Sequence, residues 1–412
     1  MKRVFITGRG LITPIGDGLK ANEEALRSGR SGITNIQGMA DVQLPSKVGG
    51  MPNQNPDTHG LIDRKKQRFC PPVANMAVAA AYEAFNEAGI ALEDIPNMRI
   101  AVVGGVAGGS YYDLWTNTDA YVQSQFNLRQ VSPLCVPRIM PSSAVSNLSL
   151  IFGLKGESYD VTAACASSAL STIVAARLIR SGEYDIVLTG GAEQVDWVSA
   201  LGFCACRALS TKYNDTPEKA SRPFDRDRDG FVISGGAGFM VLESEESVKK
   251  RKVRAIAEIS GWGANSNAAD MVVPNACSSA DVMKLALEHA NLKPQDIQYI
   301  NTHGTSTPIG DKVELDAIRE AIGTHAAINS TKSQTGHMIG ATGSCEIIFT
   351  TIMMENNFIS PTVNLENPDE EFAWADLVRE CRNGVDIRHA ISNSFAFGGS
   401  NSAVVISKVE NL

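Results

Sequence analysis

The chain has 412 residues, 43% hydrophobic and 20% charged, with 37 basic against 45 acidic side chains and a formal charge of −8. Such a composition suits a globular protein with a sizeable core, and the acidic balance argues against a general nucleic-acid binder. No stretch approaches the ~20 apolar residues of a membrane span, and the eight cysteines are scattered in a way that fits reduced thiols rather than a disulfide framework.

The first predicted element is a strand, RVFITG (3–8). Its apolar run is broken by Gly8, Arg9 and Gly10, which excludes a secretory h-region, so a cytoplasmic protein is expected. LIDRKKQRF (61–69) then concentrates Arg64, Lys65, Lys66 and Arg68. VANMAVAAAYEAFNEAG (73–89) reads as a helix closed by glycine, and RIAVVGG (99–105) as a β-branched strand. Strand SYDVTAA (158–164), helix SALSTIVAARLIRSG (168–182) and strand DIVLTGGAE (185–193) follow. The alternation argues for an α/β fold with a mostly parallel or mixed sheet. Cys204 and Cys206 form a lone C-x-C without the second pair that a zinc site needs, so no metal is expected.

Two segments hint at duplication. DGFVISGGAGFMVLESEE (229–246) and NSFAFGGSNSAVVISK (393–408) both run from an aromatic through Gly-Gly to an apolar strand. A two-part chain would break near residue 251, at the basic run 249–254, which itself reads as a solvated helix end favoured by the helix dipole.

Cys165 stands in VTAACASSALS (161–171), where a strand is expected to end and a helix to begin. Free N–H groups and the helix dipole there favour a thiolate, and small neighbours leave room for a substrate carbonyl. The same stretch fits a buried structural cysteine equally well. Two later loops tilt the balance. His303 lies in YINTHGTSTPIGD (299–311) and His337 in INSTKSQTGHMIGATGS (328–344), both after predicted strands and in long runs of small polar residues. Of the six histidines, only these have that setting. A thiol with a histidine points to covalent acyl transfer. A second histidine suits a further task, such as donating hydrogen bonds to the enolate that decarboxylation of a malonyl thioester leaves. The backbone N–H groups of Cys165 and of Phe397, in NSFAFGGSN, are candidates for holding an oxyanion.

The stretches RVFITGRGLITPIG, GLIDRKKQRF, AACASSA, GGAEQ, ALSTKYNDTPEKASRPFDRDRDGFVISGGAG, NTHGTSTPIGD, STKSQTGHMIGATG, PTVNLENPD and NSFAFGGSN run along essentially the whole chain. Together they resemble the β-ketoacyl-acyl carrier protein synthases of the thiolase-like superfamily. The Cys-His-His set looks like the elongating synthases I and II, and LSTKYNDTPEKAS with ANSNAADMVVP leans toward synthase I. Synthase III has asparagine for one histidine, and thiolases carry a second cysteine where this chain has Phe397-Gly398-Gly399.

The resemblance implies two pseudo-symmetric halves, 1–250 with the nucleophilic cysteine and 251–412 with the two histidines, in a layered α-β-α-β-α core. It implies decarboxylative condensation of an acyl chain on Cys165 with malonyl-acyl carrier protein in fatty acid elongation. His303 and His337 would bind the malonyl carbonyl, Lys332 would support them, and Glu314 would pair with Lys332. Thr305 and Thr307 would hold the phosphopantetheine arm, Phe231 would line the malonyl side, Phe397 would gate the acyl pocket and Ala107 would form its floor. Arg64, Lys65, Lys66, Arg68, Arg129 and Arg207 would bind the acidic acyl carrier protein. The enzyme itself would hold no cofactor, its substrates riding on the carrier's phosphopantetheine, and it would form a homodimer or pair with a chain-length-factor subunit. No nucleic acid and no membrane are expected as partners. One departure stands out: the last turn usually begins Gly-Phe-Gly-Gly, and here Ala396 takes the first place. Three other readings compete: a dedicated ketosynthase of a polyene or polyketide pathway, a non-catalytic chain-length partner, which would typically lack the cysteine, and a thiol hydrolase, which would need one histidine.

Overall fold

A computed structural model describes residues 2–410. Ten strands build the body of its main sheet. They are β1 (Val4–Thr13), β2 (Ile100–Gly105), β3 (Ser158–Asp160), β4 (Ile186–Glu193), β5 (Gly236–Ser244), β6 (Ala257–Ser266), β7 (Tyr299–Asn301), β8 (Ala327–Asn329), β9 (His389–Phe395) and β10 (Ser400–Ser407). The two short strands Gly16–Asp17 and Asp376–Leu377 complete it. From the central pair β1–β6, the order outward is β1-β5-β4-β2-β3 on one side and β6-β10-β9-β7-β8 on the other. Within each half the sequence is the same: first, fifth, fourth, second, third. The polarity repeats too. Strands β2, β3 and β4 are parallel and β5 antiparallel to β4. Likewise β7, β8 and β9 are parallel and β10 antiparallel to β9. The duplication hinted at by the Gly-Gly segments is thus a repeat of topology, and those segments deliver the equivalent strands β5 and β10.

Helices cover and divide the sheet. Helix α1 (Pro72–Glu87) packs on β1 and β5. A Cβ at Gly8 would lie 2.0 Å from the Ala84 carbonyl oxygen, and one at Gly10 would lie 1.9 Å from that of Ala80, so only glycine lets this alanine-rich helix approach. The second half repeats the device: helix α2 (Ala276–Ala290) lies against β6, where a Cβ at Gly261 or Gly263 would come within 2.5 Å and 2.1 Å of helix carbonyl oxygens. Between the half-sheets run α3 (Ser167–Ser181) and α4 (Thr342–Glu355), which touch each other and strands of both halves. Every residue of α4 except Glu355 is buried, as a helix enclosed on all sides requires. The result is the α-β-α-β-α layering.

The basic run 249–254 is the end of a short helix (Glu245–Arg251), with Lys249 on Glu245 at 2.6 Å and Arg251 on Glu243. The strand predicted over 158–164 stops at Asp160, because Ala164 adopts φ 46° and turns the chain into a 3-10 turn, Ala164–Ala166. Among the described residues, no helix is long and apolar enough to cross a membrane, and the eight cysteines are all free.

Candidate active site

Four segments converge on one cleft of about 380 Å³. The first is the turn before α3, which carries Cys165. The second is the loop after β7 with His303, Thr305 and Thr307. The third is the loop between β8 and α4 with His337, and the fourth is the β9–β10 turn with Ala396 and Phe397. All of these residues line the cleft, and Phe231 and Arg207 join them. The Cys165 sulfur and one ring nitrogen of each histidine lie within 4.8 Å of one another. The two imidazoles meet edge to face, with ring centroids 5.2 Å apart. Among the described residues this is the only cluster of three or more His, Cys or acidic side chains so close together.

Each histidine is aimed by its loop. The His303 and Gly304 N–H groups donate to the two oxygens of Glu314, at 2.8 and 2.7 Å. Glu314 also accepts from Asn393 Nδ2 at 3.2 Å. His337 is held by a strand-like bridge, its N–H donating to the Val232 carbonyl at 2.8 Å and its carbonyl accepting from Ser234 N–H at 2.9 Å. Its Nδ1 lies 3.0 Å from the Thr342 hydroxyl at the start of α4, while Nε2 is buried without a partner. With Thr342 donating to Nδ1, the ring proton sits on Nε2 and is free for a substrate oxygen. Phe231 packs against this ring at 5.5 Å. Burial drives both histidines well below the usual imidazole range, and the Lys332 charge adds to the effect, so both rings are neutral donors.

Two sequence expectations are corrected. Glu314 is not the ion-pair partner of Lys332. Lys332 Nζ binds Glu346 at 2.7 Å, both side chains being buried, and donates to the Thr302 carbonyl at 3.3 Å. Glu314 is taken up instead by the N–H groups of the His303 loop. Nor is the Cys165 thiol acidified. Burial pushes it up to about 12; Lys332 and the N–H groups of Phe397 and Cys165 act in the opposite sense and are outweighed. Lys332's charge is already spent on Glu346, and a helix dipole cannot replace the water that the sulfur has lost.

The other predicted positions fall as follows. The Thr305 and Thr307 hydroxyls lie 3.1 Å apart on the cleft wall. Phe397 is 37% exposed at the rim, ahead of Gly398 and Gly399, whose φ values of 84° and 75° demand glycine. Ala396 does not have a positive φ, so its methyl fits without strain. Ala107 lies outside the cleft wall, against a satellite cluster with Phe231, Ile339 and Val195. Arg207 stands at the cleft mouth, whereas Arg64, Lys65, Lys66, Arg68 and Arg129 lie away from it; all but the half-buried Lys66 are exposed. Sequence reasoning missed Glu346, Thr342 and Asn393. Glu346 had a signal: it is the single charge in TGSCEIIFTTIMM, where a buried partner is needed. Thr342 and Asn393 had none, since each acts through a contact remote in sequence or hidden in its loop.

The wider comparison agrees with this arrangement. Family models of the β-ketoacyl synthase N-terminal and C-terminal domains match residues 1–247 and 256–366. The chain is 41% identical over 413 residues to 3-oxoacyl-[acyl-carrier-protein] synthase 1 of Escherichia coli K12, covering 100% of both. The crystal structure of a β-ketoacyl synthase from Burkholderia phymatum STM815 matches it with a TM-score of 0.94 at 35% identity, covering 100% of both chains. The ishigamide ketosynthase/chain length factor matches with a TM-score of 0.91 at 29% identity, covering 99% of this chain and 100% of that one. The chain belongs to the β-ketoacyl synthase family.

Proposed function

We propose that this chain elongates acyl chains by decarboxylative condensation, joining an acyl group carried on Cys165 to malonyl-acyl carrier protein with release of CO2. The observation that carries the reading is the meeting of one thiol and two neutral imidazoles within 4.8 Å. Cys165 attacks the thioester carbonyl of the incoming acyl carrier protein. The oxyanion is held by the N–H groups of Cys165 and Phe397, and the departing phosphopantetheine sulfur takes the proton. Malonyl thioester then places its carbonyl oxygen against the N–H groups of His303 and His337. The bond to CO2 breaks, the enolate charge falls on that oxygen, and the carbanion attacks the acyl–Cys165 carbonyl. The new carbon–carbon bond forms as the carbon–sulfur bond to Cys165 breaks, and the departing thiolate takes a proton from solvent. A hydrolase needs one histidine for its thiol; the second, neutral donor is what an enolate requires.

Thr305 and Thr307 fit the phosphopantetheine arm, and the basic residues Arg207, Arg64, Lys65, Lys66, Arg68 and Arg129 fit an acidic carrier. Fatty acid elongation is the preferred pathway, on the resemblance to synthase 1. A homodimer is the natural oligomer: Tyr112, Leu114, Trp115, Phe126, Leu128 and Val136 are exposed apolar side chains over 112–136. The test is elongation of a ladder of acyl-carrier proteins with malonyl-carrier protein. Cys165→Ala is expected to lower condensation by about 10⁴-fold or more; retained condensation rules the mechanism out.

A further inference from the structure

Cys165, His303 and His337 are far apart in the sequence, and folding makes them a set of metal-ligating atoms as well as a site for thioesters. The sulfur and one ring nitrogen of each histidine lie within 4.8 Å of one another. The centre of such a triangle is at most roughly 2.8 Å from each corner, against ~2.3 Å for a zinc–sulfur bond and ~2.0–2.1 Å for a zinc–nitrogen bond. Side-chain shifts of less than about 1 Å close that gap. One sulfur and two imidazoles, with no carboxylate among them, suit Zn2+ rather than Mg2+ or Ca2+. Each imidazole has a buried ring nitrogen with no hydrogen-bond partner, Nδ1 in His303 and Nε2 in His337, and His337 is 2% exposed. A metal-bound imidazole presents an N–H on its other nitrogen, and that N–H needs an acceptor. The Thr342 hydroxyl, 3.0 Å from His337 Nδ1, supplies one by turning from donor to acceptor. The nearby Lys332 charge is matched by Glu346 at 2.7 Å, so it does not bar a dication. The cleft leaves the fourth side of the set open, as an exchangeable zinc requires.

We propose that this cleft is a reversible inhibitory site for Zn2+, held by Sγ of Cys165 and one ring nitrogen each of His303 and His337. Binding breaks the Cys165 S–H bond, forms a Zn–S bond and releases the proton to solvent; no electron is transferred. It takes the nucleophile and both hydrogen-bond donors out of use at once. A Cys165 that already carries an acyl group offers only an uncharged thioester sulfur, a poor ligand, so the acyl-enzyme resists zinc. The inhibition rests on the condensing-enzyme reading; the binding of the metal does not.

The test titrates Zn2+ alone into the chelator-treated enzyme. Binding is read by competition with a chromophoric chelator, and elongation is assayed in parallel. The expected result is one zinc per chain, elongation lost in step with binding, full recovery on adding EDTA, and protection of enzyme acylated beforehand. Co2+ in place of Zn2+ is expected to show a sulfur-to-cobalt charge-transfer band. Cys165→Ala is expected to weaken zinc binding by at least about a hundredfold and to abolish that band. Thr342→Val, which removes the acceptor for His337 Nδ1, is expected to weaken it by about tenfold. Cys206→Ala, at an exposed thiol of the same cleft, is expected to leave it unchanged. Enzyme blocked at Cys165 by iodoacetamide replaces Cys165→Ala if that variant does not fold. Zinc bound as tightly without the Cys165 thiol, equal inhibition of free and acylated enzyme, or inhibition that EDTA does not reverse overturns the inference and leaves the condensing reading intact. Absence of elongation by the metal-free enzyme overturns the condensing reading and with it the inhibitory role, while the binding arm still reports on the metal site.

Discussion

The Cys165 turn and the Gly340 turn occupy equivalent places in the two halves. Each links the third strand of its half to the buried central helix, β3 to α3 and β8 to α4. Each ends in a 3-10 turn, Ala164–Ala166 or Ile339–Ala341, that runs straight into the helix. Each opens with a non-glycine residue at positive φ, Ala164 at 46° and Ile339 at 45°. The next residue is Cys165 in one and Gly340 in the other. The two turns pack against each other, and Ser344 N–H donates to Ser168 Oγ at 2.9 Å where their helices begin. They differ in what precedes the strained residue. The first connection spans 161–166, while the second spans 330–341 and adds a short helix, Lys332–Thr335, and His337. Duplication thus presents two matching strained turns to one site. One keeps the Cys165 thiol, and the other gives up its side chain for close packing and gains a cation and an imidazole.

This contrast can be broken from either side. The largest effect is expected at the anchor that only the longer turn has. Lys332→Ala leaves Glu346 buried and unpaired and is expected to cost about 3–5 kcal/mol in denaturant unfolding; nothing comparable is available to break in the shorter turn. The Cys165 side is read by alkylation. A thiol at about 12 rather than at the ordinary 9.0 holds about 10³-fold less thiolate near neutral pH. Iodoacetamide is therefore expected to modify it far more slowly than an exposed thiol such as Cys206, with a rate that keeps rising to high pH. A plateau below pH 9 would show that Lys332 and the N–H groups win after all. His337→Ala is expected to lower condensation by about 10²–10³-fold while Cys165 still takes up an acyl group, seen as a mass shift on the protein. Loss of acylation as well would mean that the two turns do not divide the chemistry. The smallest effect is expected for Ala164→Gly, which relieves a positive φ and should change stability by about 1 kcal/mol or less, in the stabilising direction.

Much of this was legible before folding. The thiol, both histidines, Lys332 and the final glycine turn stand in runs of small residues whose composition serves close approach to a ligand. The apolar strands and glycine-closed helices marked the α/β alternation. Strand length at β3 was not legible, because DVTAA has β-branched and small residues and only the backbone shows that Ala164 turns left-handed. The partner of Lys332 was not legible either. Glu314 and Glu346 are carboxylates on either side of Lys332 in the chain, and the choice between them depends on which helix is central.

The sequence by itself determined which chemistry the chain carries, because side-chain identity and local spacing are covalent properties. Only the tertiary structure decided how those groups behave. Desolvation pushes the Cys165 thiol up and both imidazoles down, and two strand repeats bring residues more than a hundred positions apart into one cleft. It also gave Lys332 to Glu346 and the His303 loop to Glu314. Desolvation and long-range pairing depend on what surrounds a group in space, and no local stretch of sequence contains that information.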